Sequence, residues 1–309
     1  MCRHSRSRSD GMRKVLLHGH MFKHAGSTFD WSLKRSFGER FVDHRDDVAM
    51  RRGAAAYLRR YLQEHSDVAA LSSHHLCCPL PGIPGTELIR AFLLRHPIER
   101  IWSVYHFERR QEASTPGAIH AKQYSFREYV AWRMRDDVNP SIRNFQTRFC
   151  SHLVNRPRVK ATHETLQEAR ETLESTPLIG VVEAYEDSML LFEAALHRAG
   201  LDVDLAYLPQ NTARDHDGVD LSFDEKLEQV TSALGPLYEL VLEQNRLDLA
   251  LYEHAQSLLA GRFTEYVVDP TAARAAMRRR CAALPRWRHG LRLLARRLRN
   301  TSWHRKQPG

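Results

Sequence analysis

Hydrophobic positions along the chain fall into two periods. Short apolar runs come at the start and middle, the first being Arg13-Lys-Val-Leu-Leu-His after Met12, bounded by Gly19. Such a run predicts a buried strand, with residues 1–11 as an unstructured leader. Further strands are expected at Val68–Ser72, Leu88–Leu94 and Leu178–Val182. Helical spacing follows each of them. After the loop His18–Gly26, Ser27 is placed to cap a helix whose Phe29, Leu33 and Phe37 share a face and which Gly38 would end. Longer helical patterns cover Pro97–Gln111, Phe126–Arg135, His163–Ser175, Asp187–Ala199 and Pro236–Leu259. The last carries Leu240, Leu247, Leu251 and Leu258 on one stripe, widened by Val241 and Tyr252. Strands alternating with helices predict an α/β fold, a parallel sheet with helices on both faces. The polar segment Asn211–Gly218 reads as a loop long enough to cover a ligand.

Composition changes that picture at the ends only. The chain has 309 residues, 42% of them hydrophobic, and a net charge of +9. Residues 270–309 hold 12 of the 46 Lys+Arg and none of the 37 Asp+Glu; residues 1–14 carry +4, so residues 15–269 are net −7. Binding to a phosphate backbone needs a continuous basic surface, so the body is not expected to recognise a specific nucleic acid. The expected organisation is a leader over 1–11, one domain over 12–269 and a basic helical tail over 270–309. In the tail Trp287, Leu291, Leu294 and Leu298 recur at helical spacing among Arg288, Arg292, Arg296, Arg297 and Arg299, which suits peripheral contact with an anionic membrane or docking on the acidic body. No run approaches a membrane span and the first ten residues lack the apolar stretch of a secretory signal, so a cytoplasmic location, peripheral to the membrane at most, is expected. Five cysteines without a CxxC pair read as reduced thiols.

The candidate chemistry begins at Val15-Leu-Leu-His-Gly-His-Met-Phe-Lys-His-Ala-Gly-Ser-Thr-Phe29, a strand, a loop and a helix start. Backbone N–H groups at a helix N-terminus favour an anion, Lys23 adds a charge, Gly26 permits close approach, and Ser27 and Thr28 add hydroxyls. The lysine precedes the glycine, whereas a Walker A motif places it after the second glycine and directly before Ser or Thr. A second segment, Leu88-Ile-Arg-Ala-Phe-Leu-Leu-Arg-His-Pro-Ile-Glu-Arg-Ile-Trp-Ser-Val-Tyr105, ends a strand in Arg95 and places Ser103 one to two turns into the next helix. A guanidinium fork and a nearby hydroxyl suit a phosphate.

Together these segments resemble the two phosphate motifs of sulfotransferases that use 3′-phosphoadenosine 5′-phosphosulfate, with His24 standing where that family often has threonine. Asn144-Phe-Gln-Thr-Arg148, Gly180–Ser188 and Asn245–Tyr252 extend the resemblance toward the glycan-modifying branch, the heparan-sulfate and uronyl 2-O-sulfotransferases. The resemblance implies a P-loop-like parallel sheet and a hydroxyl acceptor on a glycan or glycolipid. It implies that Lys23, Ala25, Gly26, Ser27 and Thr28 hold the 5′-phosphosulfate, that Arg95 and Ser103 hold the 3′-phosphate, and that Arg148 faces the acceptor. In Leu71-Ser-Ser-His-His-Leu-Cys-Cys-Pro79 a histidine would be the base, His75 in preference to His74, which is expected near the substrate; imidazole titrates close to working pH. Consecutive His74, His75, Cys77 and Cys78 cannot easily converge on one zinc, and no metal requirement is expected. The competing readings are a nucleotide-dependent kinase and a basic-tail protein that binds membranes or nucleic acid.

Overall fold

A computed structural model describes residues 12–156, 158–209 and 221–285. Five strands, β1 (Arg13–Gly19), β2 (Phe41–His44), β3 (Ala70–Ser73), β4 (Thr86–Leu94) and β5 (Leu178–Val181), form a sheet in the order β2-β3-β1-β4-β5. Every pairing is parallel: Leu16 lies opposite Ala70 on one side and Ile89 on the other, and Leu94 opposite Val181. Consecutive strand residues point to opposite faces, and Val15, Leu16 and Leu17 are all fully buried. Both faces are therefore covered, as a parallel sheet requires.

Helices supply the cover: α1 (Gly26–Phe37), α2 (Asp47–Glu64), α3 (Pro97–Arg110), α4 (Pro116–Gln123), α5 (Phe126–Arg133), α6 (Phe145–Phe149), α7 (His163–Glu174), α8 (Tyr185–Arg198), α9 (Phe223–Leu234), α10 (Tyr238–Gln244), α11 (Arg246–Tyr266) and α12 (Pro270–Ala283). The main core joins the sheet to α1, α7, α8 and α11, and a second cluster centres on Ile101, Tyr105, Tyr129, Val130 and Val241. No described helix is long and apolar enough to cross a membrane.

Three local expectations change. The edge strand β2, only four residues with polar Asp43 and His44, was too short for its alternation to register. The stretch 236–259 is broken at Asn245, whose backbone leaves the helical region (φ −123°, ψ 12°) and whose side chain bonds the carbonyl of Val241 and the N–H of Asn144. The first helix starts one residue before Ser27, after Ala25 in the left-handed region (φ 54°, ψ 12°), and no side chain caps it. Gly38 does end that helix, with φ 59°. The expected loop Asn211–Gly218 and the amphipathic pattern from Trp287 onward lie outside the described residues.

Candidate anion-binding site at the carboxyl ends of the strands

Strand order makes β1 the switch point, since the chain runs from β1 to β2 and β3 on one side and then crosses to β4 and β5 on the other. In open α/β sheets ligands bind outside the strand ends at such a point. The Lys23 loop leaves β1 there. Two of its non-glycine residues are left-handed, Lys23 at φ 68° and Ala25 at φ 54°. Alternating backbone hands turn successive N–H groups toward one concavity, an anion nest. Gly26 opens α1 beneath it. A Cβ there would lie 2.3 Å from Cδ2 of His20, so only glycine fits without moving that ring.

Lys23 Nζ lies 4.8 Å from the centre of the Phe107 ring. Burial, then Arg95 and Arg110, push its ammonium down to about 8. His24, at the position that departs from the family pattern, is buried, donates Nδ1–H to the Phe22 carbonyl at 2.9 Å and stacks on Phe145. The same carbonyl accepts from Nε of Arg100 at 3.1 Å. Arg100 is itself fully buried, with its guanidinium 4.0 Å from the centre of the Phe145 ring, and burial pushes it down to about 9. These contacts pin the loop from below.

Arg95, just past β4, joins the two phosphate segments. Its Nη1 donates to the Lys23 carbonyl at 3.0 Å and to Ser103 Oγ at 3.1 Å. The Nε and Nη2 edge, expected to face a phosphate, is instead paired with the carboxylate of Glu99 in the first turn of α3. A bound anion therefore meets Nη1 and the Ser103 hydroxyl, or displaces Glu99. Arg95 is also held by its backbone. Gln146 bonds both sides of that residue, accepting from its N–H at 3.0 Å and donating to its carbonyl at 2.9 Å.

The weaker sequence echoes are the framework behind this. Asp248 accepts from the N–H groups of Gln146 at 2.9 Å and Thr147 at 2.8 Å, and Asn144 Oδ1 accepts from those of Leu247 and Asp248. Burial pushes the Asp248 carboxyl up, against those two N–H donors and Arg100. Glu183, past β5, accepts from the His96 N–H and the Tyr252 hydroxyl, each at 2.9 Å. Arg148 is not brought to the loop. Its guanidinium bonds the carbonyls of Val159 and Arg156, which makes it a brace for the segment beyond α6.

The two adjacent histidines diverge. His74 donates Nδ1–H to the His20 carbonyl at 2.7 Å, and its ring lies 4.4 Å from that of His20, against the Lys23 loop. Burial, then His20 and Arg45, push it down to about 3, so it is neutral with Nε2 as acceptor. His75 turns toward α2, with Nδ1 on Asn155 Oδ1 at 3.1 Å and Nε2 4.0 Å from the Asp47 carboxylate. Burial lowers it, and Asp47 opposes the shift. Cys77 and Cys78 are buried free thiols, and Arg90 lies 3.4 Å from Cys78 Sγ, so these four residues do not converge.

Sequence reasoning passed over His18, His20 and Asp30. Their Nδ1 atoms and carboxylate oxygens come together behind the loop, and among the described residues this is the group with metal-ligand chemistry. The alternation of two histidines at a strand end was the available signal. The Nδ1–carboxylate separations are 2.7 and 2.8 Å, whereas donors around a tetrahedral ion with bonds of about 2.0–2.1 Å stand roughly 3.3 Å apart. Shared protons, and no ion, fit that spacing.

No family model matches the chain. It is similar to an uncharacterized protein of Archaeoglobus fulgidus, 30% identical over 250 residues, which cover 78% of this chain and 95% of that one.

Proposed function

The chain belongs to one family with that archaeal protein, and from the chemistry of its site we propose that it is a sulfotransferase moving a sulfuryl group from 3′-phosphoadenosine 5′-phosphosulfate to a carbohydrate hydroxyl. The observation that carries this reading is Arg95 Nη1, which reaches Ser103 and the Lys23 loop at once and so brings the two segments read as phosphate motifs into direct contact. The strand order supports a P-loop-like reading of the sheet, and the lysine ahead of Gly26 separates the loop from ATPase motifs.

In the proposed reaction the acceptor oxygen attacks sulfur in line. Its bond to sulfur forms as the bond from sulfur to the 5′-phosphate oxygen breaks, and the hydroxyl proton passes to a histidine. Positioning and charge stabilisation do most of the work in such transfers. Lys23 meets the charge that grows on the departing phosphate, and the backbone over Ala25–Thr28 holds it. The base is assigned to His74 in place of His75 on geometry: its Nδ1–H is anchored on the loop and its Nε2 keeps a lone pair, although burial makes it a weaker base than a free imidazole. The test is calorimetry with 3′,5′-phosphoadenosine and, separately, magnesium-ATP, followed by mass spectrometry of hydroxylated acceptors incubated with the phosphosulfate donor. Tight binding of the bisphosphate and an 80-dalton gain on an acceptor are expected, the mass of one sulfuryl group at about 80 Da. Preference for magnesium-ATP would replace this reading with a kinase.

A further inference from the structure

Asp30 of α1 reaches two histidines of the β1 end. His18 Nδ1 donates to Oδ1 at 2.7 Å and His20 Nδ1 to Oδ2 at 2.8 Å, with Ser72 Oγ 3.1 and 3.4 Å from the two ring nitrogens. Burial alone would push the Asp30 carboxyl up, but the two imidazoles reverse that and hold it well below the usual carboxylate range. An ionised carboxylate therefore stands behind His20.

With Nδ1–H committed to Asp30, His20 presents Nε2 on its other side. That nitrogen lies 2.5 Å from the point a Gly26 Cβ would occupy, at the uncapped first turn of α1, on a side chain 9% exposed. No hydrogen bond to Nε2 is made within the described residues. In the neutral ring Nε2 is a lone pair, which repels an anion. In the imidazolium it is a donor, with its charge balanced by Asp30, as in catalytic Asp-His pairs. We infer that an anion binding in the Lys23 loop takes up one proton on His20 Nε2. The proton comes from solvent and adds to the lone pair, Nδ1–H stays with Asp30, and both steps reverse on release.

The charged and titratable surroundings agree on balance. His18 on β1 and His74 after β3 are both pushed toward neutrality, first by burial. Around them Arg45 beyond β2 disfavours a cation on His74, Asp43 of β2 favours one on His18, and Asp30 favours one on both. Among the described residues Asp30 is the charged group in hydrogen-bond contact with His20, so it dominates. This inference rests on reading the loop as an anion site, not on sulfuryl transfer.

The test is calorimetric titration of the full chain with 3′,5′-phosphoadenosine, and separately with inorganic pyrophosphate, in two buffers of different ionisation enthalpy above the ordinary histidine range. The readout is proton uptake by wild type minus that of His20→Gln, which cancels the anion's own protonation. A difference of one proton is expected, with wild-type affinity falling about tenfold more per pH unit than that of the variant. Asp30→Asn should abolish the uptake as well, and if it does not fold, His20→Gln alone decides. Equal uptake in wild type and His20→Gln, or uptake lost only in His74→Gln, overturns the inference. Failure of both anions to bind overturns it too. Pyrophosphate binding with His20-dependent uptake, without binding of the nucleoside bisphosphate, leaves the inference standing and removes the sulfotransferase reading.

Discussion

Lys23 is a cation held where it is partly unwelcome. Burial beside Arg95 and Arg110 lowers its pKa to about 8, so the free protein carries this charge below that pH and loses it as pH rises through it. If the ammonium meets charge that develops in the transfer, kcat/KM should show an alkaline limb near 8, and Lys23→Ala should remove that limb while lowering kcat by about 10²–10³. An unchanged limb in the variant would assign it elsewhere. The histidines separate in the same kind of experiment. His74→Ala should lower kcat by about 10²–10⁴ with little change in nucleotide affinity, and His75→Ala should leave kcat within a few-fold. Because His74 is pushed down to about 3, activity should also persist as pH falls through the usual histidine range, until other groups titrate. A collapse on His75→Ala with an intact fold would return the role to His75. Sequence alone showed two adjacent histidines after a strand; it could not show that one bonds the carbonyl of His20 and the other turns to Asp47.

Between elements, the loop and its supports behave as one unit. Gly26→Ala would set a methyl 2.3–2.8 Å from His20, whose ring is tied to Asp30 and cannot swing away freely. Anion affinity measured by calorimetry should fall at least tenfold while α1 persists by circular dichroism; unchanged affinity would show that the ring is not part of the cradle. The Asn144 and Asn245 segments were legible as recurring patterns, but their partnership was not. Asp248→Ala strips the acceptor from two buried N–H groups, at about 1–3 kcal/mol each, so denaturant unfolding should register a loss of roughly 2–6 kcal/mol. A loss under about 1 kcal/mol would mean that solvent reaches those groups.

At the scale of the molecule, the basic segment divides. Its first fourteen residues form α12, where Arg274 pairs with Asp187, Arg278 with Glu186, and Arg280 with Glu193 and Asp204. This is a helix docked on the acidic body, centred on fully buried Met277. Half-exposed ion pairs contribute about 0–1 kcal/mol each, whereas truncating a buried methionine costs about 2–5 kcal/mol. Met277→Ala should therefore lower the unfolding free energy more than Arg278→Ala does. Any attraction to anionic vesicles should reside beyond residue 285, so removing 286–309 should abolish sedimentation with such vesicles and leave Tm nearly unchanged. Equal vesicle binding by both forms would end the membrane idea.

What the sequence by itself determined is whatever a local pattern can carry: the buried strands β1, β3, β4 and β5, the order of strand, loop and helix around Lys23, and the strand-end placement of Arg95. Burial period and turn chemistry are encoded within a few residues, so they are readable there. The tertiary structure decided the rest. Left-handed Lys23 and Ala25, the pairing of Asp30 with His18 and His20, the grip of Gln146 on both sides of Arg95, and the diversion of Arg148 to carbonyls each depend on partners brought together by chain reversal. A side chain's direction at the end of a strand is set by whichever buried polar group must be satisfied there, and that partner is known only once the sheet has formed.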